Sequence, residues 1–151
     1  WRARRCLRSP RSKRARMIKT FHLDTPGQGL HEITSRVQSL LKDSGFAEGL
    51  CTVFVRHTSA SLVIQENADP TAKRDLERWL NRLVPDGDPF YEHDAEGPDD
   101  MPSHIKAALT ATSLSIPIIE SRLCLGQWQG LYLWEHRRRG SRREIVVHIG
   151  A

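Results

Sequence analysis

Between positions 91 and 104 the chain reads YEHDAEGPDDMPSH, two histidines and five carboxylates in fourteen residues broken by Gly97, Pro98 and Pro102. His93, Glu96, Asp99, Asp100 and His104 offer the nitrogen and oxygen donors that divalent metals accept, although their spacing matches no zinc pattern. The histidines suit a zinc-like ion and the Asp99–Asp100 pair suits Mg²⁺; the histidines are the favoured site. The opposing reading is a solvated acidic loop. A segment so poor in apolar side chains cannot hold its place by burial, and histidines among rigid Gly-Pro and Met-Pro steps point to a binding role.

Further stretches could supply chemistry. In HTSAS, residues 57 to 61, His57 follows an apolar run, and Thr58, Ser59 and Ser61 add small hydroxyls. Such a corner can hold a phosphate through hydroxyl and backbone N–H donors, while a hydroxyl-capped turn explains the same string. Glu66 and Asn67 close the next apolar run just before Asp69, where a helix N-terminus would favour an anion. Along 131 to 136, alternation sets Leu131, Leu133 and Glu135 on one strand face and Tyr132, Trp134 and His136 on the other. One face is core and the other could line a pocket. The Arg137–Arg139 run, with Arg142 and Arg143, reads first as a solvated hairpin tip and second as a phosphate clamp. His22, His31 and His148 read as structural or surface residues.

These groups need elements to position them. A strand at 18 to 24 leads into a helix with Leu30, Ile33, Val37, Leu40 and Leu41 on one face, and Gly45 suits the position just past its end. Strands at 50 to 56 and 61 to 65 bracket HTSA. Asp69 as N-cap and Pro70 at the first helical position open a second helix, with a buried stripe of Leu76, Trp79, Leu80 and Leu83. Pro85 closes it. A short helix at 103 to 111 follows the acidic segment, and the remainder reads as strands at 114 to 119, 121 to 125, 131 to 136 and 144 to 149. Five or six short strands with brief links imply a mainly antiparallel sheet, and the class is α+β.

The 151 residues suffice for one domain with one core, and no apolar run nears the roughly 20 residues of a bilayer span. No membrane partner is expected. Eight of the 23 basic residues fall in residues 1 to 16, WRARRCLRSPRSKRAR, which contain no acid; the other 15 against 18 acidic residues leave the body at −3. The overall +5 therefore reflects a basic leader, expected to be disordered or non-native, with Met17 as an ordinary start. The acidic body is not expected to bind nucleic acid. Cys6, Cys51 and Cys124 form no C-x-x-C pair; Cys51 and Cys124 read as buried reduced thiols, which suits a cytoplasmic protein.

Four strings, HTSASLVIQENADPT at 57 to 71, DLERWLNRLVPD at 75 to 86, YEHDAEGPDDMPSHIKAALTATSLSIPI at 91 to 118 and GQWQGLYLWEHRRRGSRREIVV at 126 to 147, together resemble the YjbQ family. Members of that family are named secondary thiamine-phosphate synthase enzymes, and the resemblance covers essentially all of residues 17 to 151. It implies an α+β fold whose mainly antiparallel sheet curves into a half-barrel or sandwich, with two main helices and one short helix. It further implies a homotrimer with pockets at the subunit interfaces, a metal near the histidines, and a small phosphorylated metabolite as substrate. The implied activity is weak thiamine-phosphate synthesis, in which hydroxymethylpyrimidine pyrophosphate is joined to a thiazole phosphate and pyrophosphate departs.

The expected organisation is a basic leader at 1 to 16 and a single YjbQ-like domain at 17 to 151. The catalytic candidates are His57, Glu66, Asn67, Asp100 and Glu135. The candidates for substrate or phosphate binding are Thr58, Ser59, Ser61, Trp128, Gln129 and Arg137, and those for metal binding are His93, His104 and His136. Two alternatives stay open: a metal-dependent hydrolase of a small phosphorylated metabolite with Glu66 as base, and a non-enzymatic trimer that binds a metal or metabolite.

Deleting residues 1 to 16 is expected to leave folding and assembly unchanged, because the segment's only sizeable apolar side chains are Trp1, Cys6 and Leu7. Sedimentation of the 17 to 151 fragment beside the full chain checks this, and any affinity for DNA should disappear with the deletion.

Overall fold

Apolar side chains at alternate positions build the core. In β8 (Arg142–Gly150) the buried positions are Arg143, Ile145, Val147 and Ile149 together with the terminal Gly150, and in β3 (Gly49–Val55) they are Cys51, Val53 and Val55. The two strands pair at the centre of a five-stranded sheet ordered β1 (Arg16–Asp24), β8, β3, β5 (Ser113–Ile119), β6 (Arg122–Leu123). A three-stranded sheet is ordered β2 (Gly27–Glu32), β7 (Gln129–Arg139), β4 (Ala60–Glu66). Every pairing in both sheets is antiparallel. The computed structural model describes residues 16–150, and the basic leader, Arg16 apart, lies outside them.

The larger sheet curls into a half-barrel and the smaller sheet closes over its inner face. Val53, Ile145 and Val147 from one meet Leu62, Leu131 and Leu133 from the other, and α1 (Thr34–Ser44) inserts Val37 and Leu41 between them. A second cluster of Leu30, Leu80, Tyr132 and Trp134 lies on the opposite face of β7, beneath α2 (Pro70–Leu83). β7 is consequently buried on both faces from Gly130 to His136. α3 (Asp100–Leu109) packs against β7 and β4, so the acidic segment ends directly over these strands.

Local signals are realised as expected at the helix ends. The Asp69 side chain accepts from the Thr71 N–H at 2.8 Å with Pro70 beside it, and Gly45 adopts φ 74° in the left-handed region. Other expectations are corrected. Leu30 belongs to β2, not to the first helix, because pairing with β7 and contact with Leu80 outweigh its helical spacing. In α2 only Leu80 is buried, while Trp79 and Leu83 are 52% and 54% exposed. Among the described residues there are eight strands, the seven placed from the sequence and β2 in addition; α3 begins at Asp100 instead of Ser103, and Cys124 is exposed. Tyr132, Trp134 and His136, expected on a face that could line a pocket, are buried where α2 and α3 cover that face of β7.

Gly140 turns the β7–β8 hairpin, and any side chain there would collide with Thr25, whose carbonyl oxygen would lie 1.8 Å from an added Cβ. Thr25 in turn donates its hydroxyl to Glu135 Oε2 and accepts from the Ser141 N–H, each at 3.0 Å. The hairpin tip is thus closed onto the β1–β2 connection.

Leu41→Ala, at a fully buried position in the shared core, should cost about 2–5 kcal/mol in stability. Asp69→Ala should cost clearly less, as loss of one exposed cap. Urea denaturation of the two variants checks both the size and the order of these effects.

Candidate active site

The acidic segment is secured by charge. Asp99 and Asp100 are only 8% and 2% exposed. Arg137, just past the doubly buried part of β7, donates Nε to Asp99 Oδ2 at 3.1 Å, Nη2 to the Glu96 carbonyl at 2.8 Å, and Nη1 to Asp100 Oδ1. The Arg138 N–H adds a bond to Asp99 Oδ2 at 2.9 Å. Burial pushes the Asp99 carboxyl upward, but the bonds from Arg138 and Arg137 outweigh it and hold the group below the ordinary carboxylate range. Lys106 braces the same region from α3: buried, it donates Nζ to Asn81 Oδ1 at 2.7 Å and lies 3.8 Å from Asp86 Oδ1. Burial lowers its pKa despite the opposing pull of Asp86. The segment is thus anchored at its Asp99–Asp100 end, while residues 92 to 96 stay exposed to solvent.

Donor atoms of His93, Asp100 and His104 all lie within 4.8 Å of one another. Asp100 and His104 stand one turn apart on α3, which puts both on one face. His93 Nε2 is 2.7 Å from Asp100 Oδ2, and His104 Nε2 is 3.6 Å from Asp100 Oδ1. His104 Nδ1 lies 3.0 Å from the Thr58 carbonyl, which can only accept, so Nδ1 carries the proton and the neutral ring presents Nε2 as a bare acceptor. Asp100 Oδ2 is buried and has no partner in hydrogen-bonding geometry. Two imidazoles beside a buried carboxylate whose Oδ2 is approached by His93 at 2.7 Å without hydrogen-bonding geometry, with His104 oriented by a backbone carbonyl, form a set able to hold a divalent cation.

The corner at 57 to 61 adjoins this cluster. Ser59 Oγ is 3.4 Å from His104 Nδ1, the Ser59 N–H donates to His57 Nδ1 at 2.9 Å, and Ser61 Oγ is 2.8 Å from His136 Nε2. His136 is 1% exposed and is not among the converging metal-ligand candidates. Burial, then the charges of Lys106 and Arg143, push its pKa down to about 3, so the ring is neutral at physiological pH. Glu135 is fully buried and uses both oxygens: Arg143 donates Nε to Oε2 at 2.6 Å and Nη2 to Oε1 at 2.7 Å, with Thr25 and the Arg137 N–H completing the shell. This arrangement makes Glu135 the residue that aims Arg143. Arg143 Nη1 is left 2.6 Å from His57 Nε2, beside a cavity of about 420 Å³ between His57 and the hairpin tip. Burial, followed by the Arg143 charge, lowers the His57 pKa.

The remaining candidates lie elsewhere. Ala60 pairs with Glu135 and Glu66 with Gln129, so Glu66 sits six residues further along β4, about 20 Å away at the usual rise per strand residue. Glu66, Asn67, Trp128 and Gln129 form their own knot there: Asn67 N–H donates to the Trp128 carbonyl at 3.1 Å and Asn67 Nδ2 to the Gln129 carbonyl at 3.3 Å. Arg143 is the residue sequence reasoning misplaced by treating it as part of a solvated tip. It is 3% exposed, and its phase with Ile145, Val147 and Ile149 was the signal of an inward position. Lys106 carried no comparable signal.

A family model described as "UPF0047 protein YjbQ-like" matches residues 19–151. The chain is 55% identical to UPF0047 protein sll1880 of Synechocystis over 125 residues, covering 83% of this chain and 85% of that protein. It is 45% identical to UPF0047 protein YjbQ of Escherichia coli O157:H7 over 132 residues, 87% of this chain and 95% of the relative. A crystal structure of a YjbQ/UPF0047 protein from Clostridium acetobutylicum superposes with a TM-score of 0.79 at 36% identity, covering 87% of this chain and 98% of that one. A YbjQ-like protein from Sulfolobus solfataricus shares the fold with a TM-score of 0.84 at 24% identity, over 91% of this chain and 99% of that one.

Because His136 resists protonation in the fold and accepts it near pH 6.5 when unfolded, its contribution to stability is complete above that value and is lost as pH falls towards about 3. Stability should therefore decline less steeply across this interval in His136→Gln than in the parent, as read from urea midpoints at successive pH values.

Proposed function

The chain belongs to the UPF0047 YjbQ-like family, and from that premise we propose that it is an enzyme acting on a small phosphorylated metabolite with the help of a divalent metal ion. The supporting observation is the unsatisfied Asp100 carboxylate between two imidazoles. Arg137 serves Oδ1, yet Oδ2 lacks a hydrogen bond and the His104 acceptor faces the same group. An ion held by His93, Asp100 and His104 would satisfy all three, and two imidazoles with one carboxylate suit a zinc-like metal. The Asp99–Asp100 pair is the poorer choice for Mg²⁺, since Asp99 already accepts from Arg137 and Arg138. His136 is replaced in the ligand set by Asp100, because its Nε2 is engaged with Ser61.

When bound, such an ion supplies charge compensation for a departing phosphate or pyrophosphate. The Thr58 carbonyl orients His104, and Arg137 fixes Asp100 against β7. These residues position and neutralise, and none is a free strong base, which fits displacement of pyrophosphate better than activation of water. The reaction carried by the family resemblance, the union of hydroxymethylpyrimidine pyrophosphate with a thiazole phosphate, is of this kind. Glu66 stands too far along β4 to act as base at the cluster within one chain, which weighs against the hydrolase. A homotrimer remains part of the proposal, and exposed Phe54, Trp79, Leu83 and Trp128 are apolar surface that assembly would cover.

Elemental analysis of the purified protein is expected to find about one zinc-like ion per chain. His104→Asn should remove most of the bound metal and abolish thiamine-phosphate formation. Equal metal content and equal turnover in parent and variant would overturn the proposal.

A further inference from the structure

We propose that the cavity between His57 and the β7–β8 hairpin is a phosphoryl-binding subsite in which His57 Nε2–H and Arg143 Nη1–H donate to the same phosphate oxygen. The argument begins with proton counting. His57 Nδ1 accepts from the Ser59 N–H at 2.9 Å, so the single proton of the neutral ring belongs on Nε2. That nitrogen lies 2.6 Å from Arg143 Nη1, and a guanidinium nitrogen is always a donor. Two N–H groups thus meet with no acceptor between them. Moving the proton to Nδ1 would only transfer the conflict to the Ser59 N–H. An anionic oxygen taking both protons removes it at both ends.

The surroundings fit that ligand. Arg143 cannot turn away, because Nε and Nη2 are clamped by the buried Glu135 carboxylate, and only Nη1 is left for an outside partner. Arg137 and Arg139 also line the cavity, and Glu96 is the one acidic lining residue. Glu96 is a rim group with a side chain 71% exposed, held to Arg137 only at 3.5 Å, so it can yield to an incoming anion. Arg143 and Arg137 are already matched by Glu135 and by Asp99 and Asp100, so the excess positive charge at the cavity is that of Arg139, which together with the His57 and Arg143 N–H donors favours a phosphate dianion over a single carboxylate ligand. A volume of about 420 Å³ accommodates a phosphate or pyrophosphate with part of its carrier. Because Arg137 lines this cavity and also holds Asp100, a phosphoryl group here would lie next to the His93–Asp100–His104 cluster.

This subsite deepens the enzymatic reading above and rests on it for its biological purpose, but its binding can be measured separately. Inorganic pyrophosphate, inorganic phosphate and acetate are titrated calorimetrically into the full chain after chelation of metal and again after zinc loading. His57→Leu and Arg139→Gln are the test variants, and Arg122→Gln is a charge control away from the cavity. Arg143 is left intact because its loss would strand the buried Glu135.

Pyrophosphate and phosphate should bind the metal-free chain, acetate should bind far more weakly, each test variant should weaken pyrophosphate by about tenfold, and Arg122→Gln should match the parent. No binding to the metal-free parent, equal affinity for acetate, or unchanged affinity in both test variants would overturn the subsite. Metal binding without pyrophosphate binding would sink the subsite and leave the metal centre standing. Pyrophosphate binding by a chain that takes up no metal would support the subsite and sink the metal-assisted reading.

Discussion

The grip of Arg137 on the segment from Glu96 to Asp100 is the interaction on which the candidate site depends. One guanidinium engages a main-chain carbonyl and two buried carboxylates, and it is aimed by a strand that is packed on both faces. A planar cation with several fixed donors can do this where a lysine could not. The Asp99 carboxylate, at the N-cap position of α3, caps no helical N–H but accepts from Arg137 and Arg138, and α3 starts at the place this fixes. Because α3 carries Asp100 and His104, the arginine determines where those donors stand relative to Thr58 and Ser59 on the neighbouring connection.

Buried charge recurs throughout this end of the molecule and is paired across the fold, with Asp100 Oδ2 alone left without a hydrogen bond among the described residues. Glu135 meets Arg143, Asp99 and Asp100 meet Arg137, and Lys106 meets Asn81 and Asp86. Replacing one member of such a pair leaves the other desolvated and alone, so these pairs constrain sequence more tightly than the surrounding apolar packing does. His136 follows the other course: it stays neutral, shares a hydrogen bond with Ser61, and avoids the need for a counter-ion.

The parts of this design visible in the sequence were those that depend on neighbours along the chain. Asp69-Pro70 and Gly45 announced helix ends, alternation announced the strands, and the histidine-carboxylate segment announced the residues that cluster as His93, Asp100 and His104. The parts that were not visible depend on pairing across the fold. Leu30 had helical spacing but was claimed by β7; Trp79 and Leu83 kept theirs but meet no covering layer; and nothing near Glu66 in the chain said that β4 would carry it away from His104. Arg143 lies between these cases. Its phase along β8 was legible, but the carboxylate that makes an inward arginine tolerable, Glu135, is supplied by the adjacent strand.

β7 is a ruler. Fixed by pairing on both edges and packing on both faces, it holds the Gln129 end and the Arg137 end at a set separation that side-chain motion cannot close. A metabolite with one or two rings and a phosphate cannot reach from one end to the other. If both ends serve one substrate, the Trp128–Gln129 knot that touches it must belong to a different copy of the chain from the His57 corner that does. The length of a single strand thus makes shared recognition a question of stoichiometry.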